Sequence, residues 1–192
     1  MTPFNIAIIG DSLTKDRNAR NWPMHFEHLM QVGKSQRVRT HLFGQEGTAS
    51  NVGLTQYGPI LKLKPNVFVI AYINDANPGQ LSLATSLANY NTMIDAMQAA
   101  SPSTLIYVAS ISRPTGTAAA VSFPNIGGLQ TQLAALVTSQ GLAGFIDGYT
   151  AWGDPALNPT EYDPGDGIHP LLPGHQRVTL PLWASVFASQ IT

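Results

Sequence analysis

Apolar runs alternate along the chain with stretches of helical periodicity. Five runs predict buried β-strands, at Phe4–Ile9, Val38–Phe43, Val67–Ile73, Thr104–Ser110 and Phe145–Ile146. Amphipathic spacing predicts helices at Asn21–Val32, Leu81–Ala100, Ile126–Gln140 and Leu172–Gln190. Such alternation predicts right-handed crossovers and an α/β fold, in which a mostly five-stranded parallel sheet is covered on both faces. Because we see neither a linker nor an internal repeat, we expect residues 1–192 to form a single domain.

Polar and small residues follow the predicted strands. Ser12, Gly44–Gly47, Asn74 and Arg113 come after four different strands, and His169 lies in the loop before the last helix. In a parallel sheet the carboxyl ends of the strands share one edge, where ligands bind. The sequence therefore predicts that its chemically suggestive side chains meet at this edge.

A serine at a strand end acts as a nucleophile only if a base removes its proton. His169 is a candidate base for Ser12, and Asp166 lies three residues earlier across a turn that contains Gly167, close enough to orient the ring. By itself, Ser12 after Gly-Asp is also typical of a helix N-cap. The combination with Asp166 and His169 favours a catalytic triad.

An oxyanion at this serine would need preorganised hydrogen-bond donors. We expect three: the backbone N–H of Ser12, the backbone N–H of Gly47 and the side-chain amide of Asn74. Asp11 is expected to be structural and to bond its own turn.

Composition excludes several classes of function. Charged residues make up 11% of the 192 residues, the net charge is −1, and there is no basic run, so we expect no nucleic-acid partner. The sequence has neither a basic amphipathic helix nor an apolar run long enough to span a membrane, so we expect no membrane partner. The absence of cysteine excludes disulfides and thiolate metal sites.

The chain enters its first strand directly after Met1-Thr2-Pro3, so we expect no signal peptide. The low charge, with Ser, Thr, Gly and Asn in the polar positions, favours an extracellular or virion setting over the cytoplasm. The oligomeric state stays open.

Four blocks of the sequence resemble the GDSL/SGNH hydrolase family of serine esterases and lipases. They are Gly10-Asp11-Ser12-Leu13, Gly44-Gln45-Glu46-Gly47-Thr48, Tyr72-Ile73-Asn74-Asp75 and Asp166-Gly167-Ile168-His169-Pro170. The resemblance implies a three-layer flavodoxin-like α/β/α fold, no cofactor and no metal, and hydrolysis through an acyl-serine intermediate. It also implies that Ser12, Asp166 and His169 are catalytic, and that Gly47 and Asn74 contribute to the oxyanion hole.

One departure from the family pattern is Tyr72, which stands where the third block usually has glycine. We predict that its ring lies at the rim of the site and shortens the acyl pocket. Arg113 is expected either to contact substrate or to form a salt bridge with a loop carboxylate. Trp152 either stacks on a sugar ring or packs in the interior.

These features predict a serine esterase, and a polar surface of low charge favours an acetyl esterase that acts on carbohydrate. The first alternative is a lipase or thioesterase that acts on longer acyl chains. The second is a non-catalytic glycan-binding module with the same fold. The expected partner is an acylated small molecule or polysaccharide.

Overall fold

The structure is a computed structural model that describes residues 2–15, 22–116 and 121–191. Its centre is a five-stranded parallel sheet with the strand order β2-β1-β3-β4-β5. The strands are β1 (Phe4–Gly10), β2 (Val38–Gly44), β3 (Val67–Ala71), β4 (Leu105–Ser110) and β5 (Gly144–Asp147). The chain thus reverses its direction of winding at β1, the strand that leads to Ser12.

Helices flank the sheet, as predicted, and the α/β fold class is confirmed. The helices are α1 (Ser12–Lys15), α2 (Trp22–Gln31), α3 (Ser50–Gln56), α4 (Gly58–Leu63), α5 (Leu83–Ala100), α6 (Ile126–Ser139), α7 (Gly148–Trp152), α8 (Leu172–Gly174) and α9 (Leu180–Phe187). The π-turn His175–Thr179 joins α8 to α9. Helix α2 packs on α9, whereas α5 packs on α3, α4 and α6. No helix in the described parts of the chain has both the length and the apolar character needed to span a membrane.

The central strands β1 and β3 read as continuous apolar runs because both of their faces are covered. Every residue of β3 is buried, as are the last five residues of β1. Gly10 ends β1 where three elements converge. A Cβ at Gly10 would lie 2.2 Å from the Ala71 carbonyl oxygen and 2.2 Å from Thr14 Oγ1. Only glycine therefore allows the chain to turn into Ser12 this close to β3.

The main differences from the predicted elements are short helices. Strand β3 ends at Ala71 rather than Ile73, because the next residues form the 3-10 helix Ile73–Ala76, whose first N–H groups bond the Asp11 side chain. No helix was predicted where α3 and α4 lie, and α7 lies in a stretch that was expected to be irregular. All three are one or two turns long, too short for a clear helical period. Asn21, the predicted start of α2, lies outside the described residues.

Candidate active site

Ser12 is the first residue of α1, directly after the turn that leaves β1. It is 7% exposed, and its Oγ lies 2.8 Å from Nε2 of His169. The Leu13 N–H donates to Oδ1 of Asp11, and the Trp22 indole N–H donates to the Leu13 carbonyl. The hydroxyl is therefore presented by a short helix whose backbone is fixed by two hydrogen bonds at Leu13, one to Asp11 and one from Trp22.

His169 and Asp166 form a compact unit within one loop. Nδ1 of His169 lies 2.6 Å from Oδ2 of Asp166. The other carboxylate oxygen accepts the backbone N–H groups of Ile168 and His169 itself, at 2.8 and 3.0 Å. The structure thus brings Ser12, His169 and Asp166 together in the order that proton transfer from serine to histidine requires.

The electrostatics of this unit favour an ionised Asp166. Its partial burial acts to raise the pKa of the carboxyl, but the bonds from the His169 and Ile168 N–H groups and from the His169 ring outweigh it and lower the pKa below its ordinary value. An ionised Asp166 holds the proton of His169 on Nδ1, which leaves Nε2 free to accept the proton of Ser12. The arrangement can therefore perform general-base activation of a hydroxyl.

The two remote oxyanion donors lie on neighbouring loops. Asn74 is on the 3-10 helix after β3, is 9% exposed, and donates one amide N–H from Nδ2 to the Thr48 carbonyl at 3.1 Å. An amide carries two N–H groups, so the second stays available. Gly47, next to Thr48, is exposed and has a φ of +66°, a left-handed conformation that favours glycine. The Asn74–Thr48 bond therefore holds the two predicted donors side by side.

Asp11 bonds its own turn, as predicted, and also bonds the segment that follows β3. Its Oδ2 accepts the backbone N–H groups of Ile73 and Asn74, at 2.7 and 3.1 Å. Asp11 has no exposed surface, and this burial raises its pKa to about 7 against the pull of those N–H donors. An acidic residue directly after a buried strand was the available signal, because a carboxylate there must find its partners inside the protein.

Two of the three candidate substrate contacts, Tyr72 and Trp152, are buried in the structure, and for Trp152 the alternative of packing in the interior is the one observed. Tyr72 is 2% exposed; its ring lies in the core, edge-on to Tyr90 and against Gly53 of α3. Trp152 is 1% exposed, donates its indole N–H to the Ile111 carbonyl and packs on Tyr162. Both rings bury their large apolar surface against other side chains of the protein, so neither is exposed to contact a ligand.

Arg113 differs, because it is partly exposed beside an open cleft. Its guanidinium lies 4.8 Å above the Tyr149 ring, and its Nη1 donates to the Gly153 carbonyl at 2.8 Å. The cleft has a volume of about 550 Å³. It is lined by Arg113, Pro114, Gly116, Phe123, Pro124, Ile126, Gly127, Tyr149, Asp154 and Pro155.

The cleft adjoins the loop that carries the histidine. The Thr115 N–H donates to the Gly167 carbonyl at 2.9 Å, between Asp166 and His169 in the sequence. The Tyr162 hydroxyl donates to the Arg113 carbonyl, and Tyr162 pairs with Pro170. The wall of the cleft and the Asp166–His169 loop are thus joined through their backbones.

Three other histidines lie outside the triad. His25 and His28 are exposed on α2, and His175 is buried in a stack on Trp22 with Nδ1 3.1 Å from Thr179 Oγ1. Within residues 2–15, 22–116 and 121–191, no three His, Asp or Glu side chains come together in a group that could hold a metal ion.

Comparison with known proteins adds to this geometry. The sequence matches the GDSL-like Lipase/Acylhydrolase family over residues 8–177, a span that includes all four blocks. No curated protein sequence matches the chain significantly.

Several solved structures share the fold. The lipase/acylhydrolase from Enterococcus faecalis superposes with a TM-score of 0.82 at 19% identity, covering 98% of this chain and 97% of that one. A catalytic mutant of the acetylxylan esterase Axe2 from Geobacillus stearothermophilus gives 0.78 at 14% identity, covering 96% and 94%. TesA gives 0.77 at 18% identity, covering 97% and 99%. With a match across most of its length, this chain belongs to the GDSL-like lipase/acylhydrolase family and is a hydrolase of carboxylic esters.

Proposed function

We propose that this protein is an acetyl esterase that removes acetyl groups from a carbohydrate. The observation that carries the proposal is the contrast between two cavities at the carboxyl-end edge of the sheet. One is a small pocket of about 10 Å³ beside Leu13, and the other is the open cleft of about 550 Å³ that adjoins the His169 loop. A short acyl group with a large, polar alcohol is the ester that such a contrast fits best.

In the proposed reaction, His169 removes the proton from Ser12 as Oγ attacks the ester carbonyl carbon. The oxyanion that forms accepts hydrogen bonds from the N–H groups of Ser12 and Gly47 and from the free amide N–H of Asn74. His169 then donates its proton to the leaving alcohol, and the C–O bond breaks. A water molecule, deprotonated by His169, releases the acid from the acyl-Ser12 intermediate.

The acyl side supports a short chain. The small pocket lies between Leu13 and Ile73 at the ends of β3 and β4, and its volume of about 10 Å³ is about what one water molecule needs. A pocket of this size suits the methyl group of an acetyl ester, whereas an octanoyl chain would have to lie elsewhere.

The alcohol side supports a carbohydrate. Arg113 uses one of its five N–H donors on Gly153 and is held in place over Tyr149, so several donors remain free. Asp154, on the same cleft, uses Oδ1 to accept the Ala156 N–H and keeps its second oxygen as an acceptor. Sugar hydroxyls both donate and accept hydrogen bonds, so a cleft with both kinds of group suits them better than it suits a hydrocarbon.

Similarity to the acetylxylan esterase agrees with this choice but does not carry it, because 14% identity indicates a common fold only. Substrate choice is tested by measuring kcat/KM on 4-nitrophenyl acetate, butyrate and octanoate, with acetylated xylooligosaccharides as sugar esters. We expect kcat/KM on the acetate ester to exceed that on the octanoate ester by at least about tenfold. A pocket that does not fit the extra methylene groups typically lowers kcat/KM by roughly 10–200-fold. A preference for octanoate would contradict the proposal and favour a lipase-type or thioesterase-type hydrolase.

The cleft is tested with Arg113→Ala and Asp154→Asn. For each we expect kcat/KM to fall about tenfold or more on the sugar ester, from a lost bond to hydroxyl, and to stay within about threefold on 4-nitrophenyl acetate. Arg37→Ala is the matched control, because Arg37 is exposed at the opposite, amino-terminal edge of the sheet. If both cleft variants retain full activity on the sugar ester, the alcohol binds elsewhere.

A further inference from the structure

We propose that Asp11 is a positioning residue for the oxyanion hole, because its carboxylate fastens the Asn74 segment to the turn that presents Ser12. The proposal uses the Ser12 and Asn74 roles of the proposed mechanism but is independent of the substrate. It assigns a reaction-related task to a buried carboxylate that touches neither the substrate nor the triad.

The contacts of Asp11 join two elements that are distant in sequence. Oδ1 accepts the Leu13 N–H of α1 at 3.0 Å, while Oδ2 accepts the N–H groups of Ile73 and Asn74 at 2.7 and 3.1 Å. The Asn74 amide in turn donates to the Thr48 carbonyl beside Gly47. One carboxylate therefore fixes the spacing between the Ser12 N–H and the other two donors.

A negative charge suits this task better than a neutral group. Three N–H donors converge on two oxygens, and charged acceptors make shorter and stronger bonds than neutral ones. In the described residues no Lys, Arg or His side chain forms an ion pair with Asp11, so the backbone supplies its compensation. The charges and titratable groups that act on it are Asp75, Tyr72 and Tyr90, and none of them is a cation.

Burial raises the pKa of Asp11 to about 7, so the carboxyl takes up a proton within the working range of a histidine base. A protonated oxygen no longer accepts a backbone N–H as well as a carboxylate oxygen does. Either the Leu13 bond or the bonds to Ile73 and Asn74 then weaken. Acid would thus loosen the oxyanion hole.

The first test is Asp11→Asn, assayed with 4-nitrophenyl acetate. Its amide places an N–H group against backbone donors, so we expect kcat to fall about 10–100-fold, in the range for a misplaced oxyanion donor, while KM changes less than about twofold. Glu27→Gln is the matched control. It replaces a half-buried carboxylate of α2 whose Oε1 accepts the backbone N–H and the hydroxyl of Thr40 in β2, and we expect kcat within about threefold of wild type.

A double-mutant cycle with Asn74→Ala tests whether Asp11 acts through Asn74. We expect the double variant to be no more than about threefold slower than Asn74→Ala alone. Fully multiplicative effects, or a kcat of Asp11→Asn within twofold of wild type, would overturn the proposal.

A third measurement needs no Asp11 variant and applies if that variant fails to fold. The pH profile of kcat is compared between wild type and Asn74→Ala. We expect the acid limb of the wild type to be steeper than one ionisation explains, and that of Asn74→Ala to be shallower than that of the wild type. Identical acid limbs would overturn the proposal, and an absence of turnover of any ester by wild type would instead refute the proposed active site.

Discussion

The two halves of the site are built in opposite ways. The base side is local: Asp166 and His169 lie in one loop, and Asp166 accepts the backbone N–H groups of its own turn. The oxyanion side is dispersed: Ser12, Gly47 and Asn74 follow three different strands and meet only in the folded sheet. Its coherence comes from two hydrogen-bonded links, Asp11 to Asn74 and Asn74 to Thr48.

This difference implies different sensitivities. A local unit keeps its geometry as long as its loop exists, so changes there act on the chemistry of the group that is replaced. A dispersed unit depends on tertiary contacts, so a change at one donor also shifts the others. The two sides should therefore respond differently to substitution and to acid.

The largest effect is expected for the groups that carry the proton. Ser12→Ala and His169→Ala should each lower kcat by about 10⁴–10⁶, and the double variant should be no slower than either, because the residues act as one unit. Steady-state hydrolysis of 4-nitrophenyl acetate measures this. If the two losses multiply in the double variant, Ser12 and His169 act independently, which would contradict their role as one proton-transfer unit.

Asp166→Asn tests the local unit directly. We expect kcat to fall by about 10³–10⁴, less than for His169→Ala, because the amide keeps the turn but stabilises the wrong proton position on the ring. Unfolding by urea should show a small loss of stability. A loss of activity equal to that of His169→Ala would mean that Asp166 does more than orient the ring.

Asn74→Ala tests the dispersed side. Loss of one oxyanion donor should lower kcat by about 10²–10³ with little change in KM. Because the amide also bonds Thr48, Gly47 loses its neighbour's anchor in the same variant. An Asn74→Asp variant, matched in size, should be at least as slow, since a carboxylate repels the oxyanion; an active Asn74→Asp would contradict the donor role.

The smallest effect concerns stability and pH. The pKa of Asp11 is raised to about 7, so between its unfolded value of 3.8 and about 7 the folded protein binds a proton that the unfolded chain releases. Stability from this group should therefore increase as the pH falls from about 7 towards 4, by about 1.4 kcal/mol per pH unit at most.

Asp166 has the opposite sign. Its lowered pKa contributes stability above 3.8 that is lost as the pH falls below that value. Urea unfolding at pH 8, 6, 5 and 3 should thus show a maximum near pH 4–5. A monotonic decrease in stability from pH 8 to pH 5 would contradict the assigned direction for Asp11.

Much of the fold followed from sequence because the strand exits carry their own signals. The apolar runs before Ser12 and Asn74 located their strands, and the spacing from Asp166 to His169 is short enough to place both in one turn. The directions of Tyr72 and Trp152 could not be read in this way. Whether a ring enters the core or a cleft depends on neighbours such as Gly53, which makes room for Tyr72 from a helix that the sequence did not reveal.

The bond from the Thr115 N–H to the Gly167 carbonyl has a consequence for engineering. The segment that lines the cleft and the turn that carries His169 therefore form one structural unit. Replacing residues 113–116 alone, to change which alcohol is accepted, would displace the backbone N–H at position 115, or remove it if proline is introduced there, and so weaken the bond that holds the turn of His169. A loop exchange between family members should therefore carry residues 163–170 along with residues 113–116.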